Sequence, residues 1–195
     1  MASTARSAPL TDALVEKPPF QEILRSSRSL TQKILESVED THKSCVHLQS
    51  LQWKVPENAK LATMRSTIGI PSAPVIKPIS ANFSLETALR AMHDGLELHH
   101  GLLRSISPRL EVKDRMNALQ YDVRDLKIEI FRMLKIKTTE ATVPPAPTSV
   151  ELHLPGDYEV QVAAHLTLVQ LQVFSQDVAR CLRSLDRSDQ EETDS

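Results

Sequence analysis

Residues 112–133, VKDRMNALQYDVRDLKIEIFRM, decide the fold. The apolar residues Val112, Met116, Leu119, Val123, Leu126, Ile130 and Met133 recur at alternating steps of four and three, which lays one stripe along a helix. A single stripe has to be covered by other helices. Asp122, Asp125 and Glu129 follow at i, i+3 and i+7, so three carboxylates share one flank. Such a flank is either a solvated face or a recognition surface, and spacing alone leaves both readings open.

Working outward, 195 residues with 41% hydrophobic content suit one domain with a sizeable core. Aromatic residues make up 4%, and four Gly stand against twelve Pro, a balance that favours leucine-rich helices over a sheet with many tight turns. A formal charge of -2 supplies no global field for nucleic acid or acidic lipid, and neither is an expected partner. No apolar run approaches the roughly 20 residues of a membrane span, so membrane insertion is not expected. Cys45 and Cys181 form neither a disulfide framework nor a zinc-ligand spacing, and the redox compartment stays open.

Residues 1–19 are small, polar and proline-bearing, without the apolar stretch of a signal peptide, and read as a flexible arm. On this reading an exported protein would already lack its signal. Helix A follows Pro18 and Pro19, about 19–52, with Phe20, Ile23, Leu24, Leu30, Ile34 and Val38 on its stripe. The pattern frays through Thr41, Cys45 and Leu48 toward Trp53. Between Lys54 and Ala81, Pro56, Pro71, Pro74 and Pro78 forbid a long helix, although Asn58 to Ser66 has the makings of a short one. Asn82, Phe83 and Ser84 form a sequon, a candidate N-glycosylation site at Asn82 in an exported chain.

Helix B, about 84–106, carries Leu85, Leu89, Met92, Leu96, His99 and Leu103, and Ser107 and Pro108 end it. Gly95 and Gly101 each cost about 1 kcal/mol relative to Ala, a cost that close approach of a neighbour would offset. His99 lies in the apolar phase and reads as a hydrogen-bonded core residue. Helix C runs about 111–135. After a Thr- and Pro-rich break at 138–155, helix D runs about 157–186 from Asp157 as N-cap. Its stripe is Val160, Ala164, Leu168, Leu171, Phe174, Val178, Cys181, Leu182 and Leu185. Residues 187–195 are an acidic tail expected to be disordered. The domain therefore spans 20–186.

The connections are long, short and long. A short link makes B and C antiparallel, whereas a break of about 20 residues can run back along a whole helix. The economical arrangement is an all-α, up-up-down-down four-helix bundle of the long-chain cytokine type with long A–B and C–D crossovers. It sets Cys45 and Cys181 at opposite poles, too far apart for a disulfide, so both are expected unpaired.

Several segments, in order, resemble the granulocyte colony-stimulating factor family. They are Ile68-Gly69-Ile70-Pro71-Ser72-Ala73-Pro74, His93-Asp94-Gly95-Leu96, Gly101-Leu102-Leu103 and Ile106-Ser107-Pro108-Arg109-Leu110, then Leu119-Gln120-Tyr121-Asp122-Val123-Arg124-Asp125. Leu171-Gln172-Val173-Phe174 and Val178-Ala179-Arg180-Cys181-Leu182-Arg183-Ser184-Leu185 continue the likeness, which runs from about Phe20 to Leu185.

The resemblance implies a secreted, extracellular cytokine that binds a class I receptor, the granulocyte colony-stimulating factor receptor, in a complex of two ligands with two receptors. It further implies proliferation and differentiation of granulocyte precursors. Asp122 and Asp125 match the family's paired helix C aspartates at its major contact, and Glu129 extends their row. On helix A, Gln32-Lys33-Ile34 resembles the family's basic-Lys-Ile step, which makes Lys33 a receptor-binding candidate, with Glu36 under one of two registers. Glu57, in Pro56-Glu57-Asn58, matches one acid of the family's minor contact, whose second acid is replaced here. The family's two small disulfide loops have no counterpart, so the A–B connection is expected to be mobile and held by packing alone.

Two other classes compete. Glu39-x-x-His42 and Glu97-x-x-His100 have the ligand spacing of di-iron bundle enzymes, but they occur on A and B, and helix C has no acid in its buried phase. Glycine-rich phosphate loops, Gly-x-Ser-x-Gly and His-Glu-x-x-His are missing, so no enzyme, catalytic residue, metal or cofactor is expected. An intracellular helical scaffold is the remaining alternative.

Overall fold

The computed structural model describes residues 11–80, 84–138 and 149–186. Among the described residues the α-helices are α1 Thr11–Val15, α2 Pro18–Cys45, α3 Ala59–Ile68, α4 Leu85–Ile106, α5 Asp114–Lys137 and α6 Asp157–Ser184. The bundle consists of α2, α4, α5 and α6. The acidic tail at 187–195, Asn82 and the first ten residues of the expected arm lie outside the described residues.

Side-chain pairs give the directions. Along α2 and α6, Arg28 pairs with Asp186 while His42 meets His165, so these helices are antiparallel. Lys33 pairs with Asp122 and Leu30 lies by Asp125 and Glu129, so α5 also runs against α2. Glu97 pairs with Lys127 and Ser107 bonds Asn117, which sets α4 against α5. Hence α2 and α4 are parallel and the bundle is up-up-down-down. Leu24, Ile34, Val38, Leu89, Met92, Leu96, Leu119, Val123, Leu126, Leu168 and Leu171 fill its core. Each fully buried residue of this kind stabilises by roughly 1.5–3 kcal/mol relative to exposure.

Helix ends depart from the periodic pattern where other elements intervene. Helix α2 stops at Cys45, before the expected 52. The amide of Gln161, on α6, donates to Cys45 O at 2.7 Å and accepts from His47 N at 2.7 Å, which satisfies the chain as it leaves the helix. Helix α5 starts at Asp114, so Val112 precedes it and is 48% exposed, although it fits the helical phase. Gly156 is the N-cap of α6 and Asp157 its first residue, where the carboxylate meets the positive helix end. The second half of the expected arm is structured: α1 leads into α2, Val15 is buried, and Gln21 Nε2 donates to its carbonyl.

The A–B connection has more than packing to hold it. Asn58 caps α3 by accepting from Leu61 N at 2.9 Å, and Gly69, at φ +86°, ends it in the left-handed conformation that glycine adopts without strain. Arg65 then donates to Gln170 of α6 at 2.8 Å, and His153 N donates to Ile68 O at 2.9 Å. Tertiary hydrogen bonds replace the covalent loops, which corrects the expectation of packing alone. Cys45 and Cys181 are buried free thiols, and burial pushes each up to about 11, so both stay protonated.

Gly95 leaves room for a ring of the neighbouring helix. A Cβ there would lie 2.1 Å from Cζ of buried Phe174 on α6. Gly95→Ala gains about 1 kcal/mol of helix propensity and incurs roughly 1–3 kcal/mol of overpacking. Urea denaturation is expected to show net destabilisation, with part of it recovered in Gly95→Ala/Phe174→Leu because the two sites share one space. A stabilised single variant would refute the close contact.

Candidate binding face

The acidic flank of α5 does not stand free. Asp122 is 8% exposed, and its Oδ1 accepts from Lys33 Nζ of α2 at 2.7 Å. That hydrogen bond and the nearby carboxylate hold the Lys33 ammonium above its ordinary pKa. Asp125 is half-buried and accepts from Arg124 at 2.9 Å, whose guanidinium lies over the Tyr121 ring. Glu129 is bound by Arg132 at 2.9 and 3.1 Å. Lys33, Asp122, Asp125 and Glu129 therefore gather on the seam between α2 and α5.

Beside them runs a groove of about 470 Å³ lined by Ser26, Ser29, Leu30, Asp125, Ile128 and Glu129. Ile128 is 47% exposed and Leu30 half-buried, while Tyr121 next along α5 is 55% exposed. The surface thus has apolar anchors flanked by carboxylates that accept hydrogen bonds from surface arginines of the same helix. Pairs of that kind contribute roughly 0–1 kcal/mol, so another cation can exchange into them at little cost. Ser26, Ser29, Leu30, Tyr121 and Ile128 were not among the expected site residues. Two of them had a signal: Tyr121 and Ile128 are large apolar side chains outside the buried phase of α5.

The other expected residues are placed elsewhere or keep to their own element. The carboxylate of Glu36 accepts from Gln32 Nε2 at 2.8 Å one turn back on α2. Glu57 pairs with Arg65 at 3.2 Å, beside α3, so it belongs to the crossover and not to the α2–α5 groove.

Placement of Asp122 makes charge reversal there a test of the fold. Asp122→Arg would push a cation into a covered position against Lys33, and about 2–3 kcal/mol of destabilisation is expected. Thermal unfolding of that variant checks it. An unchanged midpoint would show that the site tolerates a cation.

The two Glu-x-x-His sequences face different neighbours. Glu39 pairs with Lys43 at 3.0 Å and Glu97 with Lys127. His42 is buried: its Nε2 lies 2.8 Å from His165 Nδ1, and its ring centroid is 5.1 Å from that of Trp53. Among the described residues no three His, Cys, Asp or Glu side chains are grouped to hold a metal ion. His99 is fully buried, with Nδ1 donating to Gly95 O at 2.6 Å. No helix among the described residues is long and apolar enough to cross a membrane.

Comparison with known proteins gives the family of the chain. The family model for granulocyte colony-stimulating factor matches residues 33–183, most of the chain, and takes in Lys33 and the α5 side of the seam, while Ser26, Ser29 and Leu30 precede it. The chain belongs to the granulocyte colony-stimulating factor family. Granulocyte colony-stimulating factor of Felis catus is 28% identical over 174 residues, covering 86% of this chain and 88% of the relative. That of Bos taurus is 32% identical over 122 residues, covering 57% and 62%, and that of Ovis aries 30% over 138 residues, covering 62% and 78%. This is a family of cytokines, and a cytokine works by what its surface binds.

Proposed function

We propose that the chain is a secreted cytokine whose α2–α5 seam binds the ectodomain of a class I cytokine receptor of the granulocyte colony-stimulating factor type. The binding drives proliferation and differentiation of granulocyte precursors. The observation that carries the reading is the groove itself, which Leu30 and Ile128 line together with the carboxylates of Asp125 and Glu129. Interfaces draw most of their affinity from a few desolvated apolar or aromatic anchors, while surrounding charges set orientation and on-rate. Ile128, Leu30 and Tyr121 are the anchors in this assignment, and Asp125 and Glu129 receive basic groups of the receptor. Asp122 acts through Lys33, fixing its ammonium at the edge of the seam. Glu36 and Glu57 remain contacts proposed on family likeness, Glu57 at a second, minor receptor contact. Two ligands and two receptors would complete the signalling complex.

Titration of the purified chain against the receptor ectodomain tests this, read as affinity and stoichiometry together with growth of receptor-bearing myeloid cells. Saturable binding with a growth response is expected. Binding to cytosolic proteins without any receptor-dependent growth would overturn it in favour of a helical scaffold.

A further inference from the structure

A second groove, of about 360 Å³, opens between α2 and α6 and is lined by Arg25, Arg28, Gln32, Ala179 and Arg183. No carboxylate lines it, and neither Arg25 nor Arg183 forms an ion pair among the described residues. Arg28 pairs with Asp186 at the foot of α6, which holds one guanidinium in place beside the opening. In a chain whose formal charge is -2, three arginines facing one groove are a local concentration of positive charge. The α2 residues fall at i, i+3 and i+7 and so extend over about 10 Å of helix, the length of a short oligosaccharide.

We propose that this α2–α6 groove binds a sulfated glycosaminoglycan. Planar guanidinium groups match the oxygens of a sulfate in bidentate fashion, which suits arginine better than lysine here. The lining also argues against a protein occupant, since among the described residues Ala179 is its one apolar side chain and too small to form the anchor pocket of a protein interface. On this assignment one molecule presents two separate faces, α2–α5 to a receptor and α2–α6 to the extracellular matrix. The physiological sense of the groove rests on the secreted reading; its chemistry does not.

The test is retention of the full chain on immobilised heparin near neutral pH, compared with a sulfonate cation exchanger. Retention on heparin, with flow-through on the exchanger, is expected because the site is local and the net charge is negative. Arg25→Glu/Arg183→Glu should weaken heparin binding by about tenfold or more and flatten its salt dependence, as expected when cationic contacts to a polyanion are lost. Arg25→Lys/Arg183→Lys should fall between the two. Both positions are exposed, so circular dichroism of the variants should match the parent. Affinity for the receptor ectodomain should be unchanged, which separates failure of this proposal from failure of the receptor reading. Absence of heparin retention by the parent, equal retention by the Glu double variant, or stronger arginine-dependent binding to phosphatidylserine vesicles than to heparin would each overturn it.

Discussion

Replacing Asp125 and Glu129 together by Arg is expected to weaken receptor binding by about 2–4 kcal/mol, roughly 30- to 700-fold, with helicity unchanged. Both carboxylates line the α2–α5 groove, and both accept hydrogen bonds from arginines of their own helix. The Asp125 pair is half-exposed and its loss affects folding little, whereas the Glu129 side chain is 17% exposed, so thermal unfolding of the variant is read alongside binding. Binding is different, because the receptor's basic groups would then meet like charges next to a desolvated apolar anchor. Asp122→Arg would mix a folding defect into the result, so it is the wrong partner for this measurement. Ile128→Ser supplies the complementary arm, removing the anchor while keeping the charges, and should cost about 1–2 kcal/mol of affinity if this side chain is a hot spot. Isothermal titration against the ectodomain reads both. Unchanged affinity in the double Arg variant would return the acidic flank to the status of a solvated face.

Acidification is expected to destabilise the bundle between about pH 6.5 and 4. Burial, and secondarily the neighbouring His165, lowers His42 to about 4, and burial lowers His99 to about 4. His165 is lowered too, again by burial. The unfolded chain binds protons at the ordinary value near 6.5, so below it the unfolded state is protonated first. Stability is therefore fully present above pH 6.5, falls as the pH drops and levels off below about 4. One unit is worth about 1.4 kcal/mol, so His42 and His99 should each contribute on the order of 2–3 kcal/mol across the window. Urea titrations between pH 7 and 5 isolate this slope, because most carboxylates titrate lower. His99→Gln, which keeps a donor toward Gly95 O, should remove about one proton's share of it. A flat profile over that range would contradict the burial of neutral imidazoles.

How much was legible without coordinates follows from what each signal measures. The stripes of helices B and D, together with the long, short and long connections, carry the up-up-down-down fold, because apolar period and loop reach are properties of the chain alone. The place where α2 ends is not such a property: Cys45 and His47 are released by Gln161, more than a hundred residues away. The first half of α6 likewise shows one apolar stripe in sequence, yet Val162, Ala163, His165 and Leu166 are buried as well. There the packed crossover helix α3 adds a cover that no periodicity encodes.

The candidate face divides along the same line. Sequence by itself determined that Asp122, Asp125 and Glu129 share a flank, since i, i+3 and i+7 fix the angle around one helix. Only the tertiary structure decided their different roles. The approach of α2 covers Asp122 and gives it Lys33, while Asp125, Glu129 and Ile128 border an open groove. A helix's own geometry is local and sets which side chains are neighbours on its surface. Which of them keeps its water depends on where a second helix comes to rest, and that is settled by the packing of the whole core.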